Sequence, residues 1–214
     1  MSGIPLEALD FYEDLEADNS RTFWSAHKDV YDRCVRAPME ALLTGLAEEF
    51  GSAKLFRPHR DVRFSADKSP YKTHQGGYVE ASGGVGYYVQ VSASGLLVSA
   101  GWWRASGSQI PRFRTVVAGP GGAVLEHAVD RVRACGFEVQ GDRLQRAPRG
   151  VAPDAPRIEL LKHKSLYASR DHGAPDWLAT GEATARVAAE WRALTPLVQA
   201  LVDAVGPADD GRPG

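Results

Sequence analysis

The amino-acid sequence predicts an α+β fold with N-terminal helices, a central and mainly antiparallel sheet, and C-terminal helices packed on that sheet. Three observations predict it. Apolar residues recur every three to four positions over the first fifty residues and again after residue 108, which is the period of an α-helix. Between residues 76 and 103 the chain is instead rich in valine, tyrosine, tryptophan and leucine, in runs separated by short turns. Strands joined by short turns pair antiparallel, and helices grouped before and after a sheet are typical of α+β folds.

The first fifty residues are expected to form helices. Pro5 suits the first turn of the first helix, and residues 18–20 predict the end of that helix and the cap of the next. Pro38 interrupts the pattern, and the helix that continues after it ends at Gly51. The apolar stripes of these helices contain Leu6, Leu9, Phe11, Tyr12 and Leu15, then Trp24, His27, Tyr31 and Val35, and finally Met39, Leu42, Leu43, Leu46 and Phe50.

The sheet is expected to begin with an extended segment at residues 55–65 and to continue with strands at 76–81, 85–92 and 96–103. Phe56, Val62 and Phe64 are separated by even numbers of residues, as on one face of a strand. Residues 92–95, with the sequence Ser-Ala-Ser-Gly, fit the turn of a hairpin between the last two strands.

The remainder of the chain predicts helices at 109–118 and 122–135, a strand pair around 137–146, a short helix at 156–162 and a strand at 164–169. Asp176 predicts the N-cap of a helix at 176–180, and Pro196 predicts a kink or interruption in an amphipathic helix at 182–204. We expect residues 1–205 to form a single domain and the polar tail at 206–214 to be disordered.

Composition excludes several classes of protein. The chain has 214 residues, of which 43% are hydrophobic and 24% are charged, so it is neither collagen-like nor disordered overall. No apolar run approaches the ~18–20 residues of a membrane helix, and the N-terminus lacks the basic and apolar regions of a signal peptide. Two cysteines are too few for a disulfide framework or a thiolate metal site. We therefore expect a cytoplasmic protein without membrane contact, metal or cofactor.

Charge is distributed unevenly along the chain, although the net charge is only −2. Residues 1–50 hold 4 Lys or Arg against 11 Asp or Glu, and residues 175–214 hold 3 against 6. Residues 51–174 hold 18 against 10, a net charge of +8. Acidic flanks that neutralise a basic middle explain this pattern, and so does a positive cleft for an anionic ligand.

Residues 54–74 form the most charged stretch, which we call the basic segment. Its 21 residues include six Lys or Arg and two Asp. If residues 57–63 form a regular strand, the opposite face is mostly apolar and one face carries four ionisable groups, Arg57, His59, Asp61 and Arg63. Such a row of groups packs poorly in a core and suits the lining of a polar cleft.

We expect this cleft to bind a small anionic ligand, such as one that bears a phosphate. Arginine offers a planar fork to a carboxylate or phosphate, and lysine offers a mobile charge. Asp67 orients the cations from a turn at residues 67–70, and Tyr71 and Trp102 supply walls. Asp61 is the candidate acid or base of any catalysis, provided that its pKa is raised. The predicted cations are Arg57, Arg60, Arg63, Lys68 and Lys72, with Lys162 and Lys164 from a second basic cluster.

Two other interpretations fit the same residues. The basic middle segment and its interleaved aromatic residues would suit a nucleic-acid- or protein-binding module, although no nucleic-acid-binding motif is present. Alternatively, the Arg and Asp residues form a structural ion-pair network that fixes the acidic helices onto the sheet. A small-ligand cleft predicts binding that tolerates salt, whereas a nucleic-acid groove predicts a steep salt dependence.

The sequence also resembles an uncharacterised family of bacteria and fungi, domain-of-unknown-function family 2461. Residues 60–65 (RDVRFS) and 67–73 (DKSPYKT) resemble its signature. The resemblance covers about residues 8–202, which implies one domain with the family's fold and brings no established activity. Ala155-Pro156 stands where the family has His-Pro before the short helix. Further matching elements are Asn19 with Phe23-Trp24, Tyr87-Tyr88-Val89, Gly101-Trp102, Phe113-Arg114, residues 144–150 and residues 160–165.

Overall fold

The fold is given by a computed structural model that describes residues 3–61, 63 and 67–208. The chain divides into two compact units. The first comprises Met1–Val79, Tyr88–Val98 and Asp171–Ala189, and the second comprises Glu80–Tyr87, Ser99–Arg170 and Glu190–Gly214. The described helices and strands confirm the α+β class. No helix in the described part of the chain has the length and apolar character needed to cross a membrane.

Helices occupy the N-terminal part of the first unit, as the sequence predicts. These are α1 (Glu7–Ala17), α2 (Arg21–Val30) and α3 (Ala37–Phe50). The Ser20 hydroxyl caps α2 by accepting the Phe23 amide at 3.1 Å, and Gly51 ends α3 with φ +100°, a value that favours glycine. Between α2 and α3 the helix continues without a break, but residues Tyr31–Arg36 form a π-helix, which the sequence pattern did not predict.

A six-stranded antiparallel sheet has the strand order β1-β2-β3-β4-β6-β5. The strands are β1 (Ala53–Leu55), β2 (His74–Ser82), β3 (Val85–Ser92), β4 (Gly95–Trp102), β5 (Glu138–Gln140) and β6 (Leu166–Gly173). In the first unit, α3 approaches β2 closely at Gly77, where an added Cβ would lie 2.6 Å from the Leu43 side chain. Glycine at this position therefore lets the helix and strand pack directly.

The remaining helices follow the sheet in sequence. They are α4 (Gln109–Ala118), α5 (Gly121–Ala134), α6 (Ile158–Leu161), a 3-10 helix (Asp176–Ala179) and α7 (Ala183–Val205). In the second unit α7 packs on β3, because the rings of Tyr87 and Trp191 lie 5.2 Å apart and the Tyr87 hydroxyl is 3.0 Å from the Thr195 hydroxyl.

Each unit has its own set of buried apolar side chains. Those of the first unit include Phe11, Leu15, Val35, Met39, Leu43, Val79, Val89, Leu96, Val98, Leu178 and Val187. Those of the second unit include Val85, Trp102, Phe113, Val117, Leu125, Val129, Leu161, Leu166, Trp191, Leu194 and Leu201. The single domain predicted for residues 1–205 stays a prediction, and residues 209–214 of the predicted tail lie outside the described residues.

Two local predictions were wrong, and the interruption expected at Pro196 does not occur. The strand pair expected around 137–146 is one strand, β5, which pairs with β6. Asp176 does not cap the 3-10 helix, since the capping position is Pro175 and no side chain there accepts a hydrogen bond. Pro196 lies inside α7 and does not interrupt it. Of the extended segment expected at 55–65, only Leu55 belongs to a named strand among the described residues, and residues 62, 64 and 65 lie outside them.

Candidate functional site

The basic segment forms an irregular ribbon in the first unit rather than the regular strand expected at 57–63. The Phe56 amide donates to the Gly76 carbonyl at 2.9 Å, which prolongs the pairing of β1 with β2. Further along, the Arg60 amide donates to the Pro70 carbonyl at 2.9 Å, and the Lys72 amide donates to the Pro58 carbonyl at 2.8 Å. The two arms of the ribbon thus meet at residues 58–60 and 70–72. Three of the four ionisable groups predicted to share a face lie close together, because Asp61 interacts with the charges of both Arg63 and Arg57. Val62, Phe64 and residues 65–66 lie outside the described residues.

Asn19 attaches the ribbon to the N-terminal helices. Its side-chain amide donates to the Tyr71 carbonyl and its side-chain oxygen accepts the Tyr71 amide, both at 3.1 Å. The Tyr71 ring stacks on Trp24, with centroids 4.2 Å apart and planes within 9°. Tyr71 is only 6% exposed, so its ring belongs to this stack rather than to an open wall.

Gln75 makes a second uncharged connection. The Tyr31 hydroxyl donates to Gln75 Oε1 at 2.6 Å, and Gln75 Nε2 donates to the Phe56 carbonyl at 2.7 Å and to the Gly76 carbonyl at 3.1 Å. Burial raises the pKa of Tyr31 to about 12, so its hydroxyl stays a donor at neutral pH. A buried amide with all these partners fixes the position of Phe56 beside the π-helix.

Asp67 forms the turn that the sequence predicts at residues 67–70. Its Oδ1 accepts the Ser69 amide at 2.9 Å and the Ser69 hydroxyl at 2.6 Å, and its Oδ2 accepts Arg60 Nη1. The bonds from Ser69, with a smaller effect of the Arg60 charge, hold the pKa of Asp67 below its usual value. Asp67 therefore orients Arg60 and also neutralises part of its charge. Lys68, the next predicted cation, is exposed.

Asp61 and Arg63 form an exposed ion pair with each other. Asp61 Oδ1 accepts Arg63 Nε at 3.0 Å, and Oδ2 accepts Arg63 Nη2 at 2.7 Å. Hydrogen bonds from the Arg63 side chain and amide lower the pKa of Asp61 to about 2. A general base needs a pKa nearer the working pH, so the condition for the catalytic role of Asp61 is not met. The guanidinium of Arg63 is likewise engaged in its ion pair with Asp61.

Arg57, Arg60 and Lys72 lie near one another and form what we call the basic cluster. Burial lowers the pKa of Lys72, and the neighbouring charges of Arg57 and Arg60 lower it further. His74 follows the same pattern, since burial and then Lys72 and Arg60 lower its pKa. The Lys72 ammonium lies 5.3 Å from the centroid of the Phe56 ring. Arg57 is exposed, and it makes no hydrogen bond or ion pair with a described residue, although the Asp61 carboxylate lies within its electrostatic range.

Arg57 also lines a cavity of about 400 Å³ in the first unit. One wall is the ribbon, from Leu55 to His59. The other wall comes from α2, the π-helix and the start of α3. The lining residues of this helical wall are Trp24, Lys28, Tyr31, Asp32, Arg36 and Glu40. Small-molecule sites usually enclose roughly 300–1,000 Å³, so the cavity is large enough for one.

The π-helix explains how the charged residues of this wall share one face. In an α-helix, side chains four residues apart are displaced around the axis by about 40°. A row of four such side chains would therefore turn by about 120° from its first member to its last. The wider turn of a π-helix opposes this drift, because its hydrogen bonds run from i to i+5. The row consists of two ion pairs, Lys28 with Asp32 and Arg36 with Glu40, the second at 2.9 Å.

Sequence reasoning missed this helical wall. The sequence does contain a signal for the wall, namely a charge of alternating sign at every fourth residue. The same spacing is also typical of solvated helix surfaces. The described residues contain no group of three or more His, Cys, Asp and Glu placed to hold a metal ion.

The other predicted site residues lie in the second unit. Trp102 has no exposed surface, and its ring packs 5.4 Å from Phe113, so it is a core residue rather than a wall. Lys162 pairs with Glu159 at 2.6 Å, and Lys164 is exposed. Lys162 of the second basic cluster therefore has its own local partner.

Comparisons with known proteins give one match. A family model described as "Conserved hypothetical protein (DUF2461)" matches residues 7–199, which is most of the chain. The match includes the basic segment, the helical wall and the sheet. No curated protein and no solved structure matches the chain.

Proposed function

The chain belongs to the DUF2461 family of conserved hypothetical proteins, and we propose that its first unit binds a small anion, such as a phosphate-bearing one, at the basic cluster. Arg57 and Lys72 are the principal ligands of the anion. Arg60 adds charge from a position that Asp67 holds, and Arg63 contributes little because Asp61 occupies its guanidinium.

The observation that carries this proposal is the concentration of cations with too few carboxylates. Arg57 and Arg60 lie close enough to Lys72 to add to the effect of burial, which lowers the pKa of the lysine. The nearby carboxylates are two, Asp67, which pairs with Arg60, and Asp61, which pairs with Arg63 and lies within electrostatic range of Arg57. Repulsion among like charges raises the free energy of the unliganded protein, and a bound anion removes it. Arginine and lysine side by side combine a planar fork with a mobile ammonium, which suits phosphate oxygens.

Contacts in the first unit favour this function over the two alternatives. Ion pairs of Arg60 and Arg63 stay within the basic segment, whereas Asn19, Trp24 and Gln75 attach the segment through uncharged groups. A structural ion-pair network that fixes the acidic helices onto the sheet would need ion pairs between the basic segment and carboxylates of those helices. A nucleic-acid groove would need cations along many phosphates, but acidic residues of the helical wall adjoin the cluster.

The experiment is a titration of the purified protein with inorganic phosphate and pyrophosphate, followed by thermal unfolding and calorimetry. A ligand at 100 times its Kd stabilises a protein by about 2.7 kcal/mol, which raises the Tm of a chain of this size by about 5–10 °C. The double variant Arg57→Ala/Lys72→Ala should lose this shift. The control variant Arg149→Ala removes an exposed charge from the second unit and should retain the Tm shift.

A shift of equal size in all three proteins would show that the anion acts without the basic cluster and would overturn the proposal. A slope of log K against log salt of about −0.7 to −0.9 per contact, extending over many contacts with oligonucleotides, would favour the nucleic-acid alternative. A shift specific to one small anion that tolerates moderate salt supports the compact site.

We also propose that the protein works in the cytoplasm and that residues 1–205 form one domain. Cys34 and Cys135 are both free thiols, which suits a reducing compartment. The family match runs through residues of both units, which supports a single domain. No reaction is assigned to the site, because the candidate base, Asp61, has a depressed pKa.

A further inference from the structure

One edge of the ribbon has no neighbouring strand in the part of the chain that the structure describes. β1 is the first strand of the sheet, and its paired neighbour, β2, lies on one side of it. Beyond β1 the hydrogen bonds of the ribbon run to the same side, from Phe56 to Gly76 and between residues 58–60 and 70–72. We call the opposite edge of residues 55–59 the outer edge.

Backbone donors and acceptors point to the outer edge in a regular order. Opposite residues of an antiparallel pair alternate between those that exchange hydrogen bonds and those whose amides and carbonyls point away from the partner strand. Leu55 lies opposite Gly77, and the next residue, Phe56, donates its amide to Gly76. The amide and carbonyl of Leu55 therefore point away from β2.

The same alternation continues at His59. His59 forms a bridge with Tyr71 through hydrogen bonds of the residues on either side, so its own amide and carbonyl point to the outer edge. Arg57 lies midway between Leu55 and His59, and none of the described residues bonds to its amide or carbonyl. Pro58 lacks an amide hydrogen, but its carbonyl bonds to the facing arm, so the outer edge keeps three amides.

The outer edge also belongs to the cavity. Residues 55–59 are its ribbon wall, and the helical wall stands opposite. A strand added to an edge lies about 4.8 Å from it and sends alternate side chains to one face, where the cavity gives them room. Extended peptides bind sheet edges in this way, with main-chain hydrogen bonds for affinity and alternate side chains for specificity.

Charge indicates which peptide fits. The cations and carboxylates of the helical wall pair with each other, two and two. Arg57 is the remaining Lys or Arg among the lining residues, and Asp61, though within its electrostatic range, forms no hydrogen bond with it. Side chains directly opposite in neighbouring strands have Cβ atoms about 5 Å apart, so a Glu or Asp opposite Arg57 reaches its guanidinium. The position opposite the half-buried Leu55 favours an apolar residue.

We propose that an extended acidic peptide adds to the outer edge as an antiparallel strand: its backbone pairs with Leu55, Arg57 and His59, and a Glu or Asp side chain binds the Arg57 guanidinium. Antiparallel pairing continues the pattern of the sheet. The inference rests on the proposed function, because the peptide carboxylate is then the anion at the basic cluster. It adds the partner, which the cluster alone does not specify.

The test begins with calorimetry of four capped pentapeptides. In the parent, acetyl-Val-Thr-Glu-Thr-Val-amide, the valines and the glutamate share one face of a strand. Replacing the glutamate by glutamine should weaken binding about tenfold or more, because the hydrogen bond to the Arg57 guanidinium loses its charged acceptor. N-methylation of the glutamate should weaken binding about tenfold, because its amide no longer donates to the Arg57 carbonyl. N-methylation of the following threonine is the matched control, since that amide points away from the edge in an antiparallel strand.

Amide hydrogen exchange measured by NMR locates the bound peptide. At about ten times its Kd the parent peptide leaves about a tenth of the protein unbound, so exchange at Leu55, Arg57 and His59 should slow about tenfold. The amides of Phe56 and Lys72 are already bonded within the ribbon, so they are internal controls and should change little.

Variants assign the charge effect to Arg57. Arg57→Ala should abolish the preference for the glutamate peptide over the glutamine peptide and keep the loss caused by N-methylation. Lys54→Ala is the matched control, because Lys54 is an exposed cation of β1 whose backbone pairs with Tyr78, and it should bind the parent peptide unchanged. Circular dichroism verifies that both variants fold.

The outcomes separate this inference from the proposed function. If inorganic phosphate binds through Arg57 and Lys72 and no peptide binds, strand addition is wrong and the anion site stands. If all four peptides bind equally, or the parent binds without slowing exchange at the outer edge, strand addition is also wrong. If phosphate and the peptides all fail to bind, both proposals fall. Displacement of the parent peptide by phosphate, together with the protected edge amides, supports both.

Discussion

Replacement of Asn19 tests how the basic segment is held. Asn19→Ala removes two hydrogen bonds, one to the amide and one to the carbonyl of Tyr71. Each bond contributes roughly 0.5–1.5 kcal/mol, and the amide and carbonyl left without partners in a half-buried position cost more. We expect the free energy of unfolding to fall by about 2–4 kcal/mol, which corresponds to a Tm about 4–16 °C lower.

Urea unfolding followed by tryptophan fluorescence and circular dichroism measures this loss, and an unchanged m-value shows that two-state behaviour is retained. Gln145→Ala is the matched control, because Gln145 is an exposed amide and its loss should stay within about 0.5 kcal/mol. A loss for Asn19→Ala no larger than that of the control would refute the assigned contact.

Asn19→Asp separates this contact from an effect on the helix that follows. If Asn19 acted only near the N-terminus of α2, a carboxylate would be neutral or stabilising, because it interacts favourably with the helix dipole. If Asn19 holds Tyr71, the same carboxylate loses the donor and faces the Tyr71 carbonyl, so the variant should be destabilised. A stable Asn19→Asp protein would therefore contradict our interpretation even if Asn19→Ala is unstable.

Three further outcomes follow from the structure. Gly77→Ala should lower stability by about 1–3 kcal/mol in urea unfolding, because the new methyl group would lie 2.6 Å from the Leu43 side chain. Ser20→Ala should cost about 1 kcal/mol by loss of the α2 cap, whereas Ser20→Asp should be nearly neutral. In an NMR titration Asp61 should change charge near pH 2, and in Arg63→Ala near its ordinary value of about 4. Because the folded-state pKa is depressed, any stabilisation by Asp61 is present above pH 4 and disappears as the pH falls towards 2.

Sequence patterns predicted the regular elements well and the ribbon poorly. The helices around Leu15 and Leu43 and the strands around Val79 and Val89 repeat their apolar residues over several turns or pairs, so local periodicity is enough. The segment at 57–63 has the alternation of a strand but not the means to pair as one. Pro58, like Pro70 in the facing arm, has no amide hydrogen, so each contributes only its carbonyl to the ribbon.

The candidate site was predictable as a set of cations and not as an arrangement. The spacing of residues along the chain does not distinguish Arg57 from Arg63. The structure does, because Asp61 accepts hydrogen bonds from the Arg63 side chain, whereas no described residue accepts one from Arg57. The helical wall was missed because its charges have the spacing of a solvated helix. The π-helix that aligns them begins at the buried Tyr31, and no sequence pattern indicates it.

The way in which the first unit holds its basic segment bears directly on what the segment can bind. Had carboxylates of the acidic helices anchored the ribbon, each anchor would have neutralised a cation that an anion needs. The observed anchors are an amide, a buried glutamine and an aromatic stack, which fix the position of Tyr71 and Phe56 without consuming charge. Because Lys72 follows Tyr71 and Arg57 follows Phe56, these uncharged anchors place the two cations while leaving their charge available. Asn19→Ala should therefore weaken phosphate binding as well as stability, whereas Ser20→Ala, at the adjacent residue, should affect stability alone. Equal affinities for phosphate in the two variants, measured by calorimetry below their melting transitions, would show that the anchor does not position the site.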